Sequence, residues 1–250
     1  MAFSHNPLTV RIHAPAMTDF DRRPMQMALG VEHALPGTHL DWTVSDEQQL
    51  VKLSQRDAWL ARPRAGGGFQ LLCNNDERHP VTLFGVEGPG RLGPGGHALL
   101  EVHAELPLEA SRLATTLLAN VAEAARGYWG HATPFNAAVQ VSRQVRDPVH
   151  KPGSPPNGLP ALKLTEQLRA PEIPQHLGWL NYWSEAAARA IGFPDAARDA
   201  ELLSRSRRTP SGGWVVQLTE APLDYDNPAH IEALQRAYER FPAIGGRDSR

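Results

Sequence analysis

The chain has 250 residues, 41% hydrophobic and 21% charged, and 25 Lys+Arg against 27 Asp+Glu leave a net charge of -2. That near-neutral balance excludes a polybasic nucleic-acid or membrane binder. A mean hydropathy of -0.39 and the lack of any apolar run near ~18 residues exclude a membrane-spanning helix.

Leu8, Val10 and Ile12 alternate with Thr9, Arg11 and His13, the period of a half-buried strand. A helix is predicted from Phe20 to Leu35, with Pro24 in its first turn and Met27, Val31 and Leu35 on one stripe, stopped by Pro36-Gly37. Leu40–Val44 is a second predicted strand, and Gln55–Ala61 a short helix. Gly66-Gly67-Gly68 is a turn before strands at Phe69–Cys73 and Val81–Val86. Ala98–Leu106 alternates most clearly of all, and Leu108–Tyr128 is the longest predicted helix. Val139, Val141 and Val145 predict one more strand.

Asp147–Pro160 carries five prolines and two glycines and cannot be regular structure. It is the one candidate internal boundary. Charge does not shift across it, so residues 1–250 are read as a single domain. Beyond it, helices are predicted at Asn181–Ile191 and Asp195–Arg205, and a strand at Gly213–Thr219. A last helix is capped by Asn227 with Pro228 at its first position, and bears Ile231, Leu234, Tyr238 and Phe241 on one stripe. The fold class that follows is α+β: a mostly antiparallel sheet with helices packed on one face, joined by long Gly/Pro-rich loops.

Cys73 is the single cysteine, which excludes an intrachain disulfide; ending an apolar run, it reads as buried and structural. The opening residues Met-Ala-Phe-Ser-His-Asn-Pro lack the basic and apolar regions of a secretory signal, so a cytoplasmic protein is expected. Gly88-Pro89-Gly90-Arg91-Leu92-Gly93 matches a dinucleotide fingerprint literally, but Pro94-Gly95-Gly96 and a strand follow where a helix must start. His97 and His103 share a strand face about 20 Å apart, too far for one ion, and no His-Glu-x-x-His is present. Neither a metal nor another cofactor is expected. Ser204–Arg208 (SRSRR) is a basic cluster read as the charged end of a helix.

Trp179, Tyr182 and Trp183 would share one face of the helix predicted around them. They are either core or an anchor for a protein partner, since Trp and Tyr dominate interface hot spots. Asp224-Tyr225-Asp226 places two carboxylates before a helix, either as a capping turn or as part of a polar pocket. Trp129 and His131 complete the candidate binding residues, and His131 with Asp224 and Asp226 forms the candidate pocket of an enzyme of unspecified reaction.

The segments LPALKL, EIPQHLGWLNYWSEAAARAIGFPD, GGWVVQLTEAPLDYDNPAH and ALQRAYERFPAIGGR, spread over Gly158–Arg247, together resemble an uncharacterised bacterial domain-of-unknown-function family. QRDAWLA, LLCNNDE and WGHATP in the first half fit it too. Gly178-Trp179-Leu180 with Ser184, then Pro222-Leu223 with Asp226-Asn227, then the Tyr238 helix, are similar to immunity proteins of type VI and polymorphic-toxin systems. The resemblance implies a non-catalytic α+β protein, without cofactor, that neutralises a cognate secreted toxin by direct binding. The alternatives are the His131/Asp224/Asp226 enzyme and a structural or regulatory partner protein.

Overall fold

The alternating segments do pair. The computed structural model describes residues 6–61, 67–88, 98–146, 159, 162–163, 167–168 and 170–245. Its strands are β1 (Leu8–Pro15), β2 (Trp42–Val44), β3 (Leu50–Lys52), β4 (Phe69–Cys73), β5 (Thr82–Glu87), β6 (Leu99–Leu106), β7 (Trp129–Pro134), β8 (Leu180–Trp183), β9 (Ser206–Arg208) and β10 (Trp214–Gln217). They form one sheet in the order β3-β2-β4-β5-β6-β1-β7-β8-β10-β9, and its strand pairs are antiparallel. The α+β class and the antiparallel sheet read from the sequence therefore hold. No helix among the described residues is long and apolar enough to cross a membrane.

Alternation sets the two faces of the sheet. Val10, Ile12 and Ala14 of β1 and Leu100, Val102 and Ala104 of β6 are buried on one face. Helices α1 (Arg23–Ala34) and α3 (Ala114–Ala125) pack together there, and α3 also touches β1, β7 and β8. The opposite face carries Arg11, His13, Glu101 and His103, each partly exposed. Toward β8 and β10 that second face is covered: Trp183 meets Phe193 and Phe241 edge-on at 5.1 and 5.2 Å between ring centroids. Such pairs add about 0.5–1.5 kcal/mol each beyond their buried area.

Several predicted elements change type. The helix expected from Asn181 is strand β8 followed by helix α5 (Glu185–Ile191). Leu180–Trp183 is buried on both faces, and such a run has no period by which to tell it from a buried helix. Ser184 starts α5, its side chain accepting the Ala187 amide at 3.1 Å, and Gly192 ends it at φ 71. Replacing this cap, Ser184→Ala, is expected to cost about 1 kcal/mol; an unchanged urea midpoint would show that the cap contributes nothing.

The strand expected around Val139 is instead helix α4 (Phe135–Arg146). Ala137 and Val141 are buried four residues apart, a helical spacing that outweighs the β-branched composition. The helix expected from Asp195 shrinks to α6 (Ala200–Ser204). Asp195 accepts the amides of Ala197 and Arg198 in a local turn, and Asp199 faces inward to Arg240 at 2.7 Å. The predicted 108–128 helix begins as a 3-10 turn at Leu108–Leu113. Helix α2 (Arg56–Leu60) and the capped helix α7 (Pro228–Arg240) stand where expected, and Asn227 accepts the Ala229 amide at 3.0 Å. The loop at 89–97 lies outside the described residues, as does Asp147–Pro160 apart from buried Leu159.

Candidate functional site

The open part of the second face gathers histidines from distant parts of the chain. Registers place His13 opposite both Glu101 and Trp129, and Arg11 opposite both His103 and His131. His13 stacks on Trp129 at 4.0 Å and 20°. His176, from the segment leading into β8, closes over them: its ring lies 4.4 Å from that of His131 and edge-on to Trp129 at 5.8 Å. A Cβ at Gly178 would sit 2.8 Å from the His131 Cβ, so glycine lets this segment lie directly on β7.

The Nε2 atoms of His131 and His176 are 2.8 Å apart. That contact needs one ring to donate and the other to accept, so the two rings cannot both be protonated while it is made. The Nδ1 atoms of both rings and the Trp129 Nε1 are buried without a hydrogen-bond partner. Burial, reinforced by His176 and Arg11, pushes His131 well below its ordinary range. Burial likewise pushes His13 down to about 4 and His176 to about 3. Glu101 balances this positive potential. Burial would raise its carboxyl, but the hydrogen bond from His103 and the charges of His13, His103 and Arg11 bring it down to about 2. Arg11 and His103 meet it at 3.3 and 3.1 Å. Among the described residues, no group of three or more His, Cys, Asp or Glu converges to hold a metal ion.

Of the residues singled out in the sequence, Trp129 and His131 lie in this cluster, each 2% exposed. Trp179, Tyr182 and Trp183 are 4, 2 and 0% exposed, which corrects the surface-anchor reading: they belong to the core. They do not share a helix face either. Trp179 Nε1 donates to the Thr219 carbonyl at 2.8 Å, and Trp183 is enclosed by Phe193 and Phe241. Tyr182 faces the helix side, opposite to Trp183, and its hydroxyl donates to Glu123 of α3 at 3.0 Å. Glu123 also accepts from Thr209 and Ser211, tying α3 to the β9–β10 hairpin. Tyr182→Phe is expected to cost about 1.5 kcal/mol, the scale of a hydrogen bond to a charged group; a chemical-denaturation midpoint equal to the wild type would contradict that.

Asp224 and Asp226 are exposed and Tyr225 is half-buried. Asp224 accepts the Asp226 amide at 2.9 Å, and its own amide donates to His230 Nδ1 at 3.0 Å, so the segment is a turn leading into the Asn227 cap. Burial pushes Tyr225 up to about 12. The hydrogen-bond and ring contacts of His131 run to His176, while the hydrogen bonds of Asp224 run to Asp226 and His230. Cys73 is buried, and burial raises its thiol.

His13, His176, Arg11 and Glu101 were not singled out in the sequence. The alternation of β1 and β6 marked their face, but only the pairing of β7 between β1 and β8 brings them together.

The site is thus a neutral, histidine-rich patch on the second face of an antiparallel α+β sheet. The chain belongs to the family described as Domain of unknown function (DUF5953), whose model matches residues 19–249. No curated protein matches the chain. Among solved structures it is similar to Pseudomonas aeruginosa T6SS protein PA0821, with a TM-score of 0.58 and 16% identity over 98% of this chain and 76% of that one. That likeness is one of fold.

Proposed function

We propose that the protein is a non-catalytic, cytoplasmic immunity protein that neutralises a cognate secreted toxin by direct binding. The observation that carries this reading is the fold shared, over 98% of the chain, with a protein named for the type VI secretion system. The exposed surface supports it. Strand β3 is a sheet edge with Leu50 and Val51 exposed, and Val44 beside them on β2 is exposed as well; exposed edge strands are ready acceptors for a partner chain. The Asp224–Asp226 turn belongs to the proposed contact surface, with Tyr225 as its half-buried support. Trp129 and His131 act beneath the surface, holding the second face in shape.

The test is co-expression with any product of a neighbouring gene that proves toxic when expressed alone. Growth should be restored, and the two proteins should co-elute in gel filtration. Continued toxicity with no complex formed would remove the reading.

A further inference from the structure

The segment Ala16–Arg22, between β1 and α1, borders an open cavity of about 420 Å³ whose lining includes Arg126 at the end of α3. Phe20 on its rim is 80% exposed and has φ 59. A bulky residue reaches that left-handed region only against a steric cost, and a ring in water returns nothing to the fold. Arg126, capping α3, is likewise left-handed at φ 54 and exposed.

Charge at this cavity is unevenly spent. Asp21 is fully engaged by Arg23, whose guanidinium also holds the carbonyls of Pro15, Ala16 and Ala125. Among the described residues, the guanidinium groups of Arg22 and Arg126 have no ion pair or hydrogen bond. Arg11, Arg56, Arg189, Arg198, Arg205, Arg236 and Arg240 all have acidic partners. The cavity thus offers two uncommitted forks for carboxylate beside an exposed aromatic ring, over a floor locked by Arg23.

We propose that this cavity docks an acidic segment of a partner protein. A carboxylate is held by Arg22 and Arg126, and an adjoining apolar side chain lies on Phe20. The inference rests on the protein-binding reading above and adds the place and the chemistry of contact. A nucleic-acid backbone fits less well, because the chain is net negative and two arginines do not make the basic stripe a phosphate backbone needs.

The probe is a fluorescein-labelled Glu-Glu-Phe-Glu peptide, followed by anisotropy against the intact protein, with Lys-Lys-Phe-Lys as its charge-reversed counterpart. The acidic peptide should bind and the basic one should not. Arg22→Glu combined with Arg126→Glu should weaken binding by about 30-fold or more, and added salt should do the same in the wild type. Phe20→Asn should weaken it by about 10-fold without lowering Tm, because Asn tolerates the left-handed backbone; a structural Phe20 would lower Tm. Equal binding of the two peptides, or of the acidic peptide to the charge-reversed variant, overturns the proposal. So does displacement of the acidic peptide by a short single-stranded DNA, which would assign the cavity to phosphate. The peptide measurement does not use the toxin. Its failure removes this site and leaves the immunity reading standing, whereas failed toxin rescue with intact peptide binding removes the toxin and leaves the acidic-segment site.

Discussion

Moving from about pH 7.5 to about pH 5 is expected to destabilise the protein by on the order of 4 kcal/mol, a large part of the total stability of a typical domain. The cause is the histidine cluster. His13 and His176 are lowered from 6.5 to about 4 and about 3, and His131 is lowered as well, burial being the largest cause in each. A base whose folded pKa lies below its unfolded value takes up protons more readily in the unfolded chain. Its contribution is complete above the unfolded value and is lost as pH falls from 6.5 toward the folded one. His13 and His176 each lose about 2 kcal/mol by about pH 5, which multiplies the unfolded population by about 30 per histidine, and His131 acts in the same direction. The acidic groups do not offset this. Glu101, brought down to about 2, contributes stability that is retained until the pH falls below the ordinary carboxylate range. Urea midpoints at stepped pH measure the effect directly. A midpoint that stays constant between pH 7.5 and 5 would show that the cluster is hydrated and titrates normally. His176→Gln should lower the pH dependence by one proton.

The cluster also shows where sequence reading reaches its end. Strands β1 and β6 were legible because each has one apolar and one polar face, so alternation gives both their type and the face of Arg11, His13, Glu101 and His103. Helix α7 was legible because Asn227-Pro228 caps it and its stripe points to one core. Strand β7 was not, because Trp129–Pro134 is buried on both faces and its Gly, Ala and Thr residues carry no period. Strand β8 failed for the same reason and borrowed the helical character of the alanines that follow it. Since β7 and β8 are the strands that carry or adjoin Trp129, His131 and His176, missing them hid the assembly while leaving its individual members visible. Phe20 reads in the sequence as the start of the first helix, which begins instead at Arg23. Its exposure and left-handed backbone arise from how the segment before α1 is tied down, which is a tertiary property.

That tie is Arg23, and Arg23→Met is expected to destabilise the fold by about 3–5 kcal/mol, the scale for breaking a buried ion pair. Arg23 is 6% exposed. Its Nε and Nη2 donate to Asp21 at 2.8 and 2.6 Å, its Nη1 to the carbonyls of Pro15 and Ala125 at 2.9 and 3.0 Å, and its Nη2 to that of Ala16 at 2.9 Å. One side chain therefore joins the end of β1, the start of α1 and the end of α3. Burial would raise the Asp21 carboxyl, but the hydrogen bonds and charge of Arg23 hold it below the usual carboxylate range. Methionine fills much of the same volume yet leaves the Asp21 carboxylate with only the backbone amides of Arg23 and Thr18 and takes the guanidinium donors from three carbonyls, so the penalty is that of lost polar partners, not lost packing. Arg23→Lys should fall between, because a single ammonium cannot span four acceptors in one plane. Adding Asp21→Leu to Arg23→Met should recover part of the loss by removing the stranded charge. Guanidinium unfolding of the two variants decides the matter: a loss under about 1 kcal/mol for Arg23→Met, or no recovery in the double variant, would mean that solvent reaches this pair. The same lock holds the floor beneath Phe20, Arg22 and Arg126, so Arg23→Lys should weaken the acidic peptide even while the protein remains folded, through loss of a preorganised cavity.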